Sequence, residues 1–319
     1  MSPLRLGTRG SALALVQARA VAALLLERAG VETELVVIKT SGDRLADAKL
    51  SEVGGKGLFV KEIEDALLAG AIDLAVHSSK DMPARLPDGL AVRAALPRED
   101  PRDALVVPLP ASEMTFEAAV ARLGPSPRIG TSSVRRVAQL TVLMPHARFE
   151  PFRGNLDTRL HKLDRGDVDA IVLAAAGLRR LDQAARISAF VPPTRCVPAP
   201  GQGIVAVEIR RGDAATAALV DQISDLDALD ALRAERAVVD ALGGGCQMPI
   251  GAHAAVSGDR ITISSVVIAP DGSRVARAAA EGLRSDADAV GREAAQHLLA
   301  GGADDILSRI RAAGHASSS

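Results

Sequence analysis

Two short patterns occur twice in this sequence, and their repetition constrains the fold more than any other feature. Leu6-Gly7-Thr8 precedes a hydroxyl-rich helix start, and Ile129-Gly130-Thr131 does the same later in the chain. The segments 70–76 (GAIDLAV) and 166–172 (GDVDAIV) are also similar, and each contains an apolar run of strand length. An apolar strand, a helix with 3.6-residue spacing and a second strand form a parallel unit. We therefore predict two similar α/β lobes with mixed sheets.

The first copy of the repeat is longer than the second. The spacing from Gly7 to Gly70 is 63 residues and that from Gly130 to Gly166 is 36, so the first copy has 27 more residues. A polar, glycine-bearing segment at residues 40–57 accounts for most of this difference. Such segments between periodic elements are loops, and we predict a mobile lid at residues 40–57.

Proline-containing segments without periodicity separate the chain into domains. Residues 97–103 are charged and contain two prolines, and residues 192–203 are rich in proline and glycine. We predict a first domain of residues 1–98 and 202–222 and a second of residues 103–196, joined by two crossings as in a hinge.

From residue 225 the pattern changes to a helix, a glycine-rich loop and three strands separated by hairpin-type turns. We predict a small α+β third domain at residues 225–319, with a three-stranded antiparallel sheet covered by helices.

Composition narrows the classes of function. The formal net charge is −1, and Trp and Tyr are absent, which argues against a nucleic-acid-binding surface. The two cysteines, Cys196 and Cys246, have neither disulfide nor zinc-ligand spacing. We expect a monomer in the reducing cytoplasm, with no metal site and no membrane span, and we interpret Cys196 as structural.

Positive charge is concentrated in one part of the chain. Between residues 120 and 165 there are nine Arg or Lys against three Asp or Glu. Arg135 and Arg136 follow a Thr-Ser-Ser helix start, and a helix N-terminus with Arg and Ser favours carboxylate or phosphate. Any single arginine here could belong to a solvated basic face. The combination with Arg9 and Ser11 in the first lobe predicts a cleft for a small polyanion.

Two further segments contain candidate chemistry. Asp81 lies with His77 and Lys80 at the predicted carboxyl end of a buried strand, where open α/β sheets bind ligands. Its carboxylate could move a proton or stabilise a developing cation, or it could simply bond its own turn. Cys246 lies on a loop, residues 243–251, whose three consecutive glycines favour an accessible thiol.

Taken together, these segments resemble the porphobilinogen deaminase family over nearly the whole chain. The resemblance rests on seven blocks in the family's order: residues 8–14 (TRGSALA), 54–62 (GGKGLFVKE), 77–83 (HSSKDMP), 130–136 (GTSSVRR), 153–160 (RGNLDTRL), 201–203 (GQG) and 243–251 (GGGCQMPIG). It implies lobes similar to those of periplasmic binding proteins. The implied activity is that of a transferase that condenses four porphobilinogen molecules with loss of ammonia and then releases linear hydroxymethylbilane by hydrolysis.

The resemblance also implies roles for individual residues. Cys246 matches the cysteine to which the family's dipyrromethane cofactor is joined by a thioether, and Asp81 matches the catalytic aspartate. The implied cofactor-binding residues are Ser11, Lys80, Asp81, Thr131, Ser132, Arg135, Arg136, Arg153 and Gly154. The implied substrate-binding residues are Arg9, Ser11, Arg153, Arg159, Arg180, Lys56, Phe59 and Gln202.

Two other classes of function remain open at the level of sequence. A non-catalytic module that binds small polycarboxylates would account for the lobes and the arginines. A hydrolase with Cys246 as nucleophile, and His253 or His77 as base, would account for the exposed thiol but not for the surplus of arginine.

The predicted lid leads to a first testable expectation. Limited proteolysis of the protein without substrate is expected to cut within residues 40–57 before it cuts elsewhere, because a solvated loop presents its backbone to a protease. Mass spectrometry of the fragments identifies the sites of cleavage. Resistance of residues 40–57 equal to that of the rest of the chain would contradict the prediction.

Overall fold

The computed structural model describes residues 2–44, 60–244 and 248–316. Its strands are β1 (Leu4–Thr8), β2 (Thr33–Val37), β3 (Leu74–Ser78), β4 (Leu90–Ala95), β5 (Asp103–Val106), β6 (Arg128–Gly130), β7 (Arg148–Glu150), β8 (Ala170–Ala174), β9 (Ala189–Val191), β10 (Val205–Arg210), β11 (Ile250–Ser257), β12 (Arg260–Ile268) and β13 (Val275–Leu283). Its α-helices are α1 (Ala12–Ala29), α2 (Ser41–Arg44), α3 (Lys61–Leu68), α4 (Phe116–Arg122), α5 (Val134–Leu143), α6 (Leu156–Asp164), α7 (Ala175–Arg180), α8 (Ala214–Val220), α9 (Leu226–Ala241), α10 (Ala287–Ala300) and α11 (Ala303–Ala316).

The first lobe is a five-stranded mixed sheet in the order β2-β1-β3-β10-β4. β1 is parallel to β2 and β3, and β10 is antiparallel to β3 and β4. Helix α1 makes the crossover that the parallel pair requires. The Ser11 hydroxyl caps its first turn by accepting a hydrogen bond from the Ala14 amide, and Gly30 ends it in the left-handed conformation at φ 64°.

The second lobe repeats this arrangement, with the strand order β7-β6-β8-β5-β9. β6 is parallel to β7 and β8, and β5 is antiparallel to β8 and β9. The equivalent turns before β3 and β8 contain Gly70 and Gly166, at φ 68° and 86°, a region that favours glycine. The predicted pair of similar mixed α/β lobes is confirmed.

The chain passes between the two lobes twice. β4 leads through residues 96–102 into β5, and β9 leads through residues 192–204 back into β10, which lies in the first sheet as predicted. The two crossings are bonded to each other, because the Leu96 amide donates to the Val205 carbonyl and the Glu99 amide to the Gly203 carbonyl. The lobes are therefore joined by a double connection.

The third unit is a three-stranded antiparallel sheet in the order β11-β12-β13, as predicted. Helices α9 and α10 cover one face and share an apolar core with it that includes Val238, Ile263 and Leu298. The domain boundaries at residues 1–98 with 202–222, 103–196 and 225–319 remain predictions.

The start of the predicted lid is not a loop. Thr40 is fully buried, α2 follows it, and the Ser41 amide donates to the Glu62 carboxylate at 2.7 Å. This turn is bonded to α3, and a mobile lid at residues 40–57 remains a prediction. Residues 45–57 of the predicted lid lie outside the described residues. No helix in the described ranges is long and apolar enough to cross a membrane.

Candidate functional site

The polar residues predicted at the strand ends lie together at the carboxyl edge of the first sheet. Arg9 and Ser11 follow β1, and Asp81 ends a 3₁₀ turn, Ser79–Asp81, that follows β3. Arg9, Ser11, His77 and Asp81 line one small cavity of about 40 Å³. Parallel strands end at the same edge, and this shared edge is what brings residues so distant in sequence together.

Asp81 also lines a larger cavity of about 220 Å³. The first lobe contributes Lys80 and Asp81 to its lining, and the second lobe contributes Arg135 and Arg136. All three sheet units therefore meet at this cavity, because residues of α9 and β11 complete it. It places one carboxylate among several cations, with an apolar wall opposite.

The contribution of the third unit was only partly expected from the sequence. Arg236 and Val239 on α9, together with Met248 and Ile250, line the larger cavity. Met248 lies two residues after Cys246 in the sequence. Arg236 was not predicted as a site residue. It lies on α9, whose buried side chains pack in the core of the third unit. Only its position ten residues before Cys246 could have drawn attention to it.

The hydroxyl-rich segment of the second lobe shapes the start of α5. Ser133, rather than Thr131 or Ser132, caps the helix by accepting a hydrogen bond from the Arg136 amide at 3.4 Å. Ser132 donates to the Phe152 carbonyl at 3.1 Å and accepts from the Phe152 amide at 2.9 Å. Thr131 is buried and accepts from the Ser133 amide. These bonds hold the turn, and a role of Thr131 and Ser132 in cofactor binding remains a prediction.

Arg135 and Arg136 are buried and share one carboxylate, that of Asp103 at the start of β5. Arg135 Nη1 lies 2.8 Å from Asp103 Oδ2, and Arg136 Nε lies 2.9 Å from Asp103 Oδ1. Burial alone would raise the pKa of Asp103, but Arg135 and Arg136 outweigh it and hold this pKa well below its usual range. The two arginines form the cationic wall of the cavity while one carboxylate already binds both of them.

Gln202 belongs to the same hydrogen-bonded group. Its side-chain amide donates to the Pro101 carbonyl at 2.6 Å and to Asp103 Oδ1 at 3.0 Å, and only 1% of the residue is exposed. It thus joins the two crossings between the lobes. The predicted role of Gln202 in substrate binding is untested, and the observed contacts are those of a hinge residue.

The remaining predicted arginines differ in their surroundings. Gly154 has φ 118°, and its carbonyl accepts from Arg159 Nε at 2.8 Å. Burial, together with the nearby charge of Arg136, lowers the pKa of Arg159 to about 10. Arg180 Nη2 donates to the Gly203 carbonyl at 2.7 Å, and burial lowers its pKa as well. Arg159 remains charged at neutral pH with a pKa of about 10, and both Arg159 and Arg180 are partly desolvated cations.

Lys80, which precedes Asp81 in the sequence, is a further partly buried cation. Burial lowers the pKa of the Lys80 ammonium to about 8, Asp81 opposes this shift, and Arg136 adds to it. A partly desolvated ammonium binds an anion more strongly than a solvated one, because less hydration is lost on binding.

Of the two cysteines, only Cys196 lies among the residues that the structure describes. Cys196 is fully buried, and burial together with Asp103 raises the pKa of its thiol to about 12. A buried thiol with a raised pKa is inert, in agreement with the prediction that Cys196 is structural. Cys246 lies outside the described residues, as do the predicted substrate-binding residues Lys56 and Phe59.

Family comparisons cover most of the chain. The family model described as "Porphobilinogen deaminase, dipyromethane cofactor binding domain" matches residues 4–218, and "Porphobilinogen deaminase, C-terminal domain" matches residues 229–300. A relative named porphobilinogen deaminase from Bordetella parapertussis is 48% identical over 308 residues, which are 96% of this chain and 96% of the relative. Relatives of the same name from Moorella thermoacetica and Syntrophobacter fumaroxidans are 46% and 44% identical, over 98% and 96% of this chain and 98% and 97% of their own lengths.

Solved structures give a more distant likeness. A VFT2 domain of BvgS from Bordetella pertussis has a TM-score of 0.41 at 15% identity, over 69% of this chain and 85% of that one. An ancestral arginine-binding protein bound to arginine has a TM-score of 0.37 at 15% identity, over 70% of this chain and 91% of that one.

The burial of Asp103 leads to a prediction about stability. Asp103→Asn is expected to lower the free energy of unfolding by about 3–5 kcal/mol, because two buried guanidinium groups lose their counter-ion. Since the folded pKa of Asp103 is lowered, this contribution is present above the ordinary pKa of aspartate and is lost as pH falls through the folded pKa. Urea unfolding at pH 7 measures the change.

Asp169→Asn is the matched control, because Asp169 pairs with Arg128 in the same lobe while 41% of its side chain is exposed. It should cost less than about 1 kcal/mol. Equal losses in the two variants would contradict the central role of Asp103.

Proposed function

Because the chain belongs to the porphobilinogen deaminase family, we propose that it condenses four porphobilinogen molecules head to tail, with loss of ammonia, and releases linear hydroxymethylbilane by hydrolysis. The observation that carries the residue assignments is the larger cavity. It brings Asp81 together with Lys80, Arg135 and Arg136, next to the residues that flank Cys246. The overall reaction is a transfer between carbon centres, so we class the enzyme as a transferase of porphyrin biosynthesis.

The residues present fit the family's dipyrromethane cofactor. The cavity lining combines an apolar wall, Val239, Met248 and Ile250, with a cationic wall, and a dipyrromethane has both flat apolar rings and carboxylate arms. We propose Cys246 as its point of attachment, with Ser11, Lys80, Asp81, Thr131, Ser132, Arg135, Arg136, Arg153 and Gly154 around it. When bound, it supplies the pyrrole carbon to which porphobilinogen is added.

We assign recognition of the substrate to the cations around the cavity. Each porphobilinogen has two carboxylate arms, and Arg9, Arg153, Arg159 and Arg180 are the predicted partners for these arms, with Ser11, Lys56, Phe59 and Gln202 as further contacts. Arg159 and Arg180 are partly desolvated, and a desolvated guanidinium binds a carboxylate bidentately and strongly. The chain of added rings gains carboxylates with each round, which explains why one cleft needs so many cations.

We assign the chemical step to Asp81. Loss of ammonia from porphobilinogen leaves an electron-poor, cationic methylene group, and a carboxylate nearby stabilises that charge. The same carboxylate can take the proton that a pyrrole carbon loses when the new carbon–carbon bond forms. Both tasks require the ionised form of the carboxylate, and Lys80, Arg135 and Arg136 line the same cavity.

The two alternative functions are less well supported. A binding module without catalysis does not require the third unit, yet α9 and β11 complete the larger cavity. In the hydrolase hypothesis Cys246 would be the nucleophile, with His253 or His77 as base, but a thiol nucleophile does not account for the arginines that line the larger cavity. We further propose a cytoplasmic location, because a thioether at residue 246 requires a reduced thiol. We also propose that the protein is a monomer.

The attachment site gives a direct prediction. The mass of the intact folded protein is expected to exceed that of the polypeptide by two pyrrole units, and Cys246→Ser should lose this excess and the activity together. Cys196→Ser is the matched control and should retain both, because Cys196 does not line the cavity and a serine hydroxyl keeps a donor for Asp103. An active protein of unmodified mass would overturn the assignment of Cys246.

The role of Asp81 is tested separately. Asp81→Asn should keep the adduct mass and yet lower the turnover rate by about 10² or more, because an amide neither accepts the proton nor stabilises the cation. Asp88→Asn, an exposed aspartate seven residues later, is the control and should turn over normally. Normal turnover of Asp81→Asn, measured as product formed per enzyme, would remove Asp81 from the mechanism.

A further inference from the structure

A buried group of ionisable residues lies beneath the Asp81 segment and has no role in the mechanism described so far. His77 Nε2 lies 3.0 Å from Glu208 Oε2, and the two residues are 4% and 0% exposed. Glu64 on α3 is 5% exposed, and one of its carboxyl oxygens has no hydrogen-bond partner among the described residues. Burying three ionisable side chains costs desolvation free energy unless the side chains are paired and hydrogen-bonded.

Strand register explains why these residues meet. β10 is antiparallel to β3, and Glu208 pairs with Ala75 while Ala206 pairs with His77. Side chains two residues apart on a strand share a face, so His77 and Glu208 point to the same side of the sheet. Helix α3 packs on that side through Ile63 and Leu67, together with Ala75.

His77 is also in contact with the site of the chemistry. It lines the small cavity of about 40 Å³ together with Asp81. A cavity of this size has room for more than one water molecule, because one water needs about 10–15 Å³. Water in the cavity could therefore connect the Asp81 carboxyl to the imidazole.

The pairing with Glu208 prepares His77 to accept a proton. A neutral imidazole whose Nε2–H donates to a carboxylate carries its lone pair on Nδ1. A buried carboxylate held against one ring nitrogen fixes this tautomer and stabilises the imidazolium that forms when Nδ1 is protonated. His77 and Glu208 have the geometry for this pairing, with 3.0 Å between Nε2 and Oε2.

The proposed reaction creates a need for such an acceptor. In each condensation the carbon–nitrogen bond of the protonated aminomethyl arm breaks, and neutral ammonia leaves with the bonding electron pair. A carbon–carbon bond then forms, and the attacking pyrrole carbon gives one proton to the Asp81 carboxylate. Asp81 has to lose that proton before it can act again. The reaction repeats four times, so the enzyme needs a route for one proton per round.

We propose that His77, paired with Glu208, accepts through cavity water the proton that Asp81 takes up in each condensation, and so returns Asp81 to its ionised form for the next round. The inference rests on the proposed function of Asp81. The proton moves from the Asp81 carboxyl to His77 Nδ1 and then to solvent, and no electrons are transferred. Glu64 tunes this step, because its ionised form stabilises the nearby imidazolium.

The number of rings added to each enzyme molecule tests the proposal. Enzyme that carries its cofactor is mixed with excess porphobilinogen and quenched, and the intact mass is measured over time. His77→Gln keeps a donor for Glu208 but cannot take a proton. We expect its first addition within about twofold of the wild-type rate and its later additions slowed by about tenfold or more, so that protein with one added ring accumulates.

Other outcomes of this experiment would overturn the proposal. Wild-type rates for all four additions in His77→Gln would show that His77 takes no proton, and equal slowing of the first and later additions would show a purely structural role. The Asp81→Asn variant separates the two proposals. If it turns over normally, the function proposed for Asp81 fails; if it is inactive while His77→Gln elongates normally, only the relay fails.

Glu64 provides a second measurement that does not depend on His77→Gln folding. The pKa of Glu64 is raised to about 7, mainly by burial and then by the charge of Glu208. Asp65 also raises this pKa, whereas His77 and Arg236 lower it. The rate of the later additions should therefore rise with pH through about 7 in the wild type. Glu64→Gln should remove that rise, whereas Asp65→Asn, exposed on the same helix, should keep it.

Unfolding in urea tests the raised pKa of Glu64 independently of enzyme turnover. A group with a raised folded pKa contributes stability that is present below its ordinary pKa and is lost as pH rises through the folded value, here about 7. The unfolding midpoint of the wild type should therefore fall relative to that of Glu64→Gln between pH 5 and pH 8. Parallel midpoints of wild type and Glu64→Gln, with an unchanged rate profile, would overturn the role of Glu64.

Discussion

The buried carboxylate of Asp103 is the interaction on which the arrangement of the lobes depends. It is fully buried, it binds Arg135 and Arg136 on α5, and it accepts from Gln202 on the returning crossing. Two guanidinium groups and an amide are needed to compensate one buried charge, and these partners come from different parts of the chain. The same bond that stabilises the second lobe therefore fixes the cationic wall of the cavity and ties it to the hinge.

Glu235 plays a corresponding part for the third unit. Its carboxylate is fully buried and accepts from Arg98 on one crossing, from the Gly201 amide on the other and from the Ala254 amide on β11. Asp103 and Glu235 thus hold the two crossings from opposite sides. The larger cavity lies where these connections converge, and its walls come from three sheets that would otherwise be independent.

The sequence predicted the site more completely at its strand ends than at its walls. Ser11 and Asp81 follow apolar strands, and the shared edge of a parallel sheet brings them together. By contrast, no local pattern indicated that Arg135 and Arg136 are bound to Asp103 or that Arg236 reaches the cavity. Such contacts join residues far apart in sequence, and local spacing contains no information about them.

The sequence alone determined the two similar lobes, the antiparallel third sheet and the family resemblance, because strand and helix periodicity and turn residues are local properties. The tertiary structure decided which charges are compensated and which remain for a ligand. It also decided that His77 pairs with Glu208 above Glu64, since this depends on the antiparallel register of β10 against β3. Burial turns ordinary side chains into a strongly ionised carboxylate, a weakened ammonium or a proton acceptor, and burial exists only in the folded chain.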